Sequence, residues 1–375
     1  MKILYFSEMI PINSDVHNII FILNRLKELK KKDYIKLYPV RLNNILYSKR
    51  ILRNYTLDLD EKSTQVKTIN YIKIGYNGFF EYASNNLYKI YQKTHPNIVH
   101  IHFAFPEGYI GSLLKKKRGL EYILTVHGSD IHTIPFKGVE YRKKVCQALN
   151  DAKHVIFVSL GLLKTAVEIG YEGREYSIVP GGIDLNLFKP LNKANNSNKK
   201  VVGFIGNLNY IKGADRIPLI VQNTLKLDPR IKFEIIGEGQ YRKFVERILS
   251  REIKAGEVKV TAYMPNASLP GIMSNWSIII MPSRNEGAPT VLEESMAMGI
   301  PAVISGFSGA EELLDESFLG EIIKQDDSIE ESFAEKITKL AGKSPGRESI
   351  VRYAQKFGID STISREIEIY KRYVK

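Results

Sequence analysis

The chain has 375 residues and a single cysteine, Cys146. One thiol excludes a disulfide framework and a cysteine-built metal site, and it suits a reducing cytoplasm. No apolar run approaches the roughly 18 residues that cross a bilayer, so any membrane contact is expected to be peripheral. The opening MKILYFSEMIP places only about six apolar residues before Glu8, too few for a signal peptide, and reads as a first buried strand. Hydrophobic and charged fractions of 44% and 25% are those of a globular protein. The length exceeds one core and predicts two domains.

Charge is unevenly spread. Residues 1–180 hold 27 basic and 16 acidic side chains, net +11, and the remainder adds only +2. The first half is therefore the candidate for an anionic substrate or an anionic membrane surface. A nucleic-acid partner is not expected, because no recognition motif accompanies the charge.

The stretch 278–311, IIIMPSRNEGAPTVLEESMAMGIPAVISGFSGAE, organises the rest. It reads as a strand at Ile278–Met281, a polar loop, a helix with Pro289 at its first position, a stop at Gly299 and Pro301, and a strand from Ala302 to Ile304. Such a unit aims a helix N-terminus at the carboxyl edge of a parallel sheet, where free N–H groups favour phosphate. Glu286 lies in the loop and Glu294 on the helix, about 7.5 Å beyond Pro289 at 1.5 Å per residue. Glu294 could reach a ribose and Glu286 a sugar beyond the phosphates. The plainer alternative is that Glu286 supports the helix terminus and Glu293 and Glu294 form a solvated face.

This segment resembles the signature of the retaining glycosyltransferases of family 4, "PS..EG.P...LEAMA.G.PVV.S..GG..E", in which a Glu-x7-Glu pair grips a nucleotide sugar. Here the pair is Glu286 and Glu294, and Ala310 stands for the second glycine of the final pair. The resemblance extends to GNLNYIKG at 206–213, similar to the family's "GRL...KG", where Lys212 matches the lysine and Asn207 replaces the arginine; Arg216 or Arg284 are candidates to supply the missing charge. His127 in TVHGSD matches the histidine placed against the donor sugar, with Asp130 expected to orient that ring or cap the turn. The crossing IVPGGIDLNLFKP at 178–190 resembles "VPNGVD...F.P".

Along the first half, the residues predict strands at Lys2–Phe6, Asn97–Phe103, Tyr122–Val126 and Val155–Ser159. A helix carries Ile19, Ile22, Leu23, Leu26 and Leu29 on one face; Arg25, Lys27, Lys30, Lys31 and Lys32 lie on the other, expected to be solvated or to lie on anionic lipid. His100 and His102 share a strand face, too few for zinc. Lys115 to Arg118 complement a helix C-terminus. Residues 45–95 are rich in tyrosine, read mostly as half-buried aromatics. Asp58-Leu59-Asp60 superficially matches a metal motif but is read as a loop, and no bound metal is expected. The polar run LNKANNSNKK marks a linker.

The resemblance implies the GT-B fold: α/β, two Rossmann-like domains facing each other across a cleft, with the C-terminal helix crossing back to the first. The expected boundaries are 1–190 for the acceptor side, 191–200 for the linker, 201–355 for the donor domain and 356–375 for the returning helix. It implies a metal-independent retaining glycosyltransferase without a cofactor, moving sugar from a nucleoside diphosphate sugar to a hydroxyl of a glycan or lipid-linked acceptor. His127, Glu286 and Lys212 would be catalytic. Gly206, Asn207, Glu286, Gly287, Ala288, Pro289, Thr290 and Glu294 would hold the donor, and Asn13, Ser14, Asp15, His102 and Asp130 would serve the acceptor side. The alternatives are a non-catalytic sugar-nucleotide scaffold, or a sugar phosphorylase or epimerase on the same frame. The location expected is cytoplasmic, or peripheral at the inner membrane face.

Overall fold

The computed structural model describes residues 1–12, 20–49, 51–59, 62–71, 78–191, 200–287, 289–341 and 346–374. It falls into two units, Met1–Gly182 with Ile359–Lys375, and Ile183–Gly358.

The first unit is built on eight strands: β1 Lys2–Ser7, β2 Lys36–Asn44, β3 Tyr55–Leu59, β4 Lys62–Tyr71, β5 Ile98–His102, β6 Ile123–Val126, β7 His154–Phe157 and β8 Tyr176–Ile178. They lie in the order β3-β4-β2-β1-β5-β6-β7-β8, parallel throughout except for the β3-β4 pair. Strands such as ILYF and IVHIH are buried along their whole length, as strands inside a parallel sheet are, and this burial includes the two histidines His100 and His102. Asp58 and Leu59, expected in a loop, instead close β3, with Asp58 opposite Ser63; Asp60 lies outside the described residues.

The helix Ile20–Lys31 buries Ile22, Leu23, Leu26 and Leu29 as its periodicity predicts, while Ile19 lies outside the described residues. Arg25 departs from its expected polar face. Its guanidinium is fully buried, and Nε donates to Glu366 Oε1 at 2.8 Å on the C-terminal helix Ile359–Tyr373. That helix lays Ile363, Ile367 and Tyr370 into the same core as β1, each apolar side chain worth roughly 1.5–3 kcal/mol on burial. Docking it over the first helix is what encloses Arg25, and Glu366 compensates the charge.

The second unit is a six-stranded parallel sheet: β9 Lys200–Ile205, β10 Ile231–Ile236, β11 Val258–Thr261, β12 Ile278–Met281, β13 Ala302–Ser305 and β14 Gly320–Ile323. Its order, β11-β10-β9-β12-β13-β14, reverses direction between β9 and β12. Gly203 in β9 has a physical necessity, since a Cβ there would stand 2.0 Å from the ring of buried Trp276.

The unit begins earlier than the expected linker. Ile183 and Phe188 belong to its core, and Ile183 N donates to Phe357 O at 2.9 Å, so the chain has entered it before the polar run. Residues 192–199 of that run lie outside the described residues. The chain returns to the first unit at Ile359, not at 356.

Replacing Glu366 by Ala leaves the Arg25 guanidinium buried without its carboxylate. Denaturant unfolding of the whole chain should then show a loss of about 3–5 kcal/mol, and a loss under 1 kcal/mol would contradict this account of the helix docking.

Candidate functional site

Each unit carries its own cluster at the carboxyl ends of its strands. In the second unit the cluster stands at the reversal between β9 and β12, where open α/β sheets leave a crevice. Two loops rise there, 206–213 after β9 and 282–289 after β12. Several contacts lace them together. Arg284 N donates to Ile211 O at 2.7 Å, and Arg216 Nη1 to Pro282 O at 3.0 Å. Gly213 adopts φ +68°, and a Cβ on it would meet Pro282 O at 2.0 Å, so only glycine admits this approach.

The lacing brings Lys212 to Glu286. Lys212 Nζ donates to both carboxylate oxygens, at 2.6 and 2.8 Å, and Ser283 Oγ donates to Oε1 at 2.7 Å. The Glu286 carboxylate is nearly buried, whereas the Lys212 side chain is 34% exposed, so the cation is the partner that meets solvent. Asn209 Oδ1 accepts from Lys212 N at 2.9 Å and fixes the turn that presents it.

The helix after the second loop is Thr290–Ala297, with Pro289 preceding it at φ −77° and ψ 81°, one residue earlier than its expected place. Gly299 at φ +73° ends it, as the sequence predicts. Thr290 is half-buried at the helix start, Gly287 is half-buried in the loop, and Ala288 lies outside the described residues. Glu294 is buried one turn further along. Burial pushes its carboxyl up to about 8, the neighbouring Glu293 charge adds to this, and a hydrogen bond with Asn266 opposes it. The solvated face considered for Glu293 and Glu294 is therefore not found; both are buried.

Gly206 follows β9 and its N–H donates to Ile236 O at 3.1 Å. Asn207 is exposed beside Gly239, at a cavity of about 580 Å³ also lined by Asn209, Tyr210 and Gln240. The two arginines considered as replacements are engaged elsewhere. Arg284 makes a bidentate pair with Asp215 at 2.8 Å and lies 3.6 Å over the Tyr210 ring; Arg216 holds Pro282 O and, at 3.0 Å, Gln325 Oε1.

In the first unit His102 ends β5 and His127 follows β6, and their rings meet: His102 Nδ1 lies 2.9 Å from His127 Nε2. A buried polar column continues behind them. His100 Nε2 contacts Thr125 Oγ1 at 2.7 Å, and His100 Nδ1 contacts the Tyr370 hydroxyl at 2.7 Å. Desolvation holds all three imidazoles neutral, His100 down to about 3 and the other two well below the ordinary value, with Arg25 adding repulsion. A neutral ring has one N–H, so the contact with His102 decides whether His127 offers a donor or an acceptor at Nδ1.

Asp130 does not orient His127. Its Oδ1 accepts from the backbone N–H of His127 at 3.1 Å and Gly128 at 2.8 Å, and Oδ2 from Ala104 N at 2.9 Å. It fixes the turn, the second of its two expected roles. Asn13, Ser14 and Asp15 lie outside the described residues. Among the described residues no cluster of three or more His, Cys, Asp or Glu could hold a metal ion.

Comparison with known proteins now adds a family. The glycosyl transferases group 1 model matches residues 188–357, and the glycosyl transferase 4-like model residues 51–159. The chain belongs to the group 1 glycosyl transferases. It is 26% identical over 58% of its length to TuaC of Bacillus subtilis, whose name assigns it to teichuronic acid biosynthesis, covering 55% of that protein. It is 23% identical over 64% of its length to an Escherichia coli protein named UDP-Gal:alpha-D-GlcNAc-diphosphoundecaprenol alpha-1,3-galactosyltransferase, covering 66% of it. The chain thus spans less than two thirds of the length of these two relatives. Among solved structures, HepE of Anabaena in complex with UDP superposes with a TM-score of 0.75 at 15% identity, over 99% of this chain and all of that one. The fold is GT-B.

Sequence reading did not find every residue in this glycosyl transferase that fixes the cluster. Ser283 was within the matched motif but carried no separate signal. Asn266, on the loop after β11, was visible only as a polar residue. The Tyr370, Glu366 and Arg25 column joins positions up to 341 residues apart, and no local pattern reports it.

The Glu294 shift has a sign. A carboxyl raised in the folded state lends stability that is full below its unfolded value and is lost as pH rises through about 8. Between pH 5 and 8 the wild type should lose stability relative to Glu294→Gln by up to about 1.4 kcal/mol per pH unit, read from denaturant unfolding. Parallel curves would contradict the burial of a titrating carboxyl here.

Proposed function

We propose that this protein is a metal-independent, retaining glycosyltransferase that moves a sugar from a nucleoside diphosphate sugar to a hydroxyl of a glycan or lipid-linked acceptor. The observation that carries the reading is the Lys212–Glu286 pair set between two laced loops at the strand reversal. Lys212 provides the cation for the diphosphate, assisted by N–H groups at the start of helix Thr290–Ala297, and Glu286 accepts from hydroxyls of the transferred sugar. Glu294 serves the ribose. Asn266 and Tyr263, both of which interact with Glu294, lie where the strand β11 ends and border the nucleoside.

In the reaction the bond between the anomeric carbon and the diphosphate oxygen breaks, and its electron pair leaves with the diphosphate. The acceptor oxygen bonds to the same face of that carbon, and its proton passes to the departing phosphate oxygen. A fixed positive charge where negative charge develops is the largest contribution such a site makes. Within the first unit His127, its tautomer set by the contact with His102, is the residue offered to a sugar hydroxyl. Names of relatives support the donor and acceptor classes: HepE is described with UDP, and the Escherichia coli protein by a UDP-sugar donor and a diphosphoundecaprenol acceptor.

A second reading, a sugar-nucleotide binder without transfer, is favoured by one observation. Asn207 replaces the family arginine, while Arg284 and Arg216 are already bound to Asp215 and to Pro282 and Gln325. Incubation with UDP-hexoses separates the two: release of UDP identifies an enzyme, and binding without release a scaffold.

For the enzyme, UDP-hexose with a lipid-linked glycan should give an α-linked product from an α-linked donor, read by proton NMR, at an unchanged rate in excess EDTA. A β-linked product, or activity abolished by the chelator, would contradict the proposal.

A further inference from the structure

The first unit holds a cavity that shares no residue with the cluster around His127. It measures about 340 Å³ and lies between β4 and the helix Gly78–Thr94. Lys67 reaches it from the strand, and Lys89 and Lys93 from the helix; Tyr82 and Asn86 continue the same helical face. No lining residue is acidic.

The lysines here differ from the other basic run of the unit. Lys115, Lys116 and Lys117 each have a carboxylate partner, Glu121, Asp151 and Glu81. Lys67, Lys89 and Lys93 make no ion pair among the described residues. Lys89 and Lys93 are four apart, neighbours on the helix surface, where like charges repel. Gathering three ammonium groups around one concavity without a carboxylate is unfavourable until an anion arrives. In the cavity wall the Asn70 side chain is held in place: Nδ2 donates to Leu52 O at 2.7 Å, and Oδ1 accepts from Leu52 N at 2.9 Å and from Asn43 Nδ2 at 2.7 Å.

The remaining lining groups specify more than charge. Tyr82 is 54% exposed, presenting ring and hydroxyl, and Asn86 spends its Nδ2 on Tyr82 O at 2.9 Å, which leaves its Oδ1 to accept. An aromatic plate and an amide acceptor beside lysines suit a hydroxylated ring bearing phosphate. The volume lies at the lower end of small-molecule sites and leaves room for a monosaccharide-sized headgroup.

We propose that this cavity binds a phosphorylated polyol headgroup, Lys67, Lys89 and Lys93 neutralising the phosphate while Tyr82 and Asn86 receive hydroxyls. The site stands apart from the donor reading, since none of its lining residues is among those assigned to the donor.

The test titrates the whole chain at low salt with myo-inositol 1-phosphate, a headgroup that can be offered free or as phosphatidylinositol in phosphatidylcholine vesicles. Inorganic phosphate and UDP are the comparison ligands. The free headgroup should bind at least tenfold tighter than inorganic phosphate, weaken as salt rises, and lose at least tenfold in the double variant Lys89→Gln, Lys93→Gln, with UDP affinity unchanged. Tighter binding of vesicles than of free headgroup supports a lipid-borne ligand, and the converse a soluble one; both sustain the site. Equal affinity in wild type and variant overturns the proposal, as does inorganic phosphate binding as tightly as the headgroup. A fall in UDP affinity in the variant would likewise overturn it, by showing that the lysines act on the donor site.

Discussion

The second unit depends on one ion pair, Lys212 with Glu286, held between loops that belong to neighbouring but sequentially distant strands. A lysine is a mobile cation on a flexible stem, and alone it would be hydrated and unplaced. Here its backbone is fixed by Asn209 and by the close approach of Gly213 to Pro282, and its head by a carboxylate that Ser283 also holds. Ser305 Oγ donates in turn to Ser283 O, tying the carboxylate's support to β13. The pair is therefore preorganised. Without a ligand, the carboxylate proposed for the sugar and the cation proposed for the diphosphate satisfy each other, and a donor carrying both groups would have to replace one contact by two.

The first unit spends its buried polar groups differently. Arg25, Glu366, Tyr370, His100 and His102 form a column from the C-terminal helix to the strand ends, where His127 stands. His102 Nε2 and the Tyr5 hydroxyl are buried with no hydrogen-bond partner among the described residues, and the Tyr5 ring stacks on His102 with centroids 4.2 Å apart. Burial without full satisfaction disfavours charge on every imidazole in the column, which keeps His127 neutral. The helix that closes the chain thereby fixes the ring that ends β6.

Much of this was legible from the residues. IIIM and AVIS are buried along their whole length and all but Ser305 are apolar, because both faces of a parallel sheet are covered, and the Gly299-Ile300-Pro301 stop sets the helix end without reference to anything distant. Lys212 and Glu286 could be paired in advance only through the family's pattern, since 74 residues separate them. Arg25 could not be read correctly, because a helix position two residues from Lys27 looks solvated until a second helix covers it. Strand β3 is a different case: Tyr55, Leu57 and Leu59 alternate with Thr56 and Asp58 and turn both leucines inward, but the strand is only five residues long and the acidic run at 58–61 masks that alternation. Similarly, the domain boundary was drawn at the most polar run, although Ile183 and Phe188 had already committed the chain to the second core.

The account is tested most directly by comparing the affinities of Glu286→Gln for UDP and for a UDP-hexose by calorimetry. If Lys212 meets the diphosphate and Glu286 the sugar, the variant should bind UDP as well as or better than the wild type, because the lysine is released. It should bind the UDP-hexose at least tenfold more weakly. Equal losses for both ligands, or no loss for either, would contradict the division of labour within the pair.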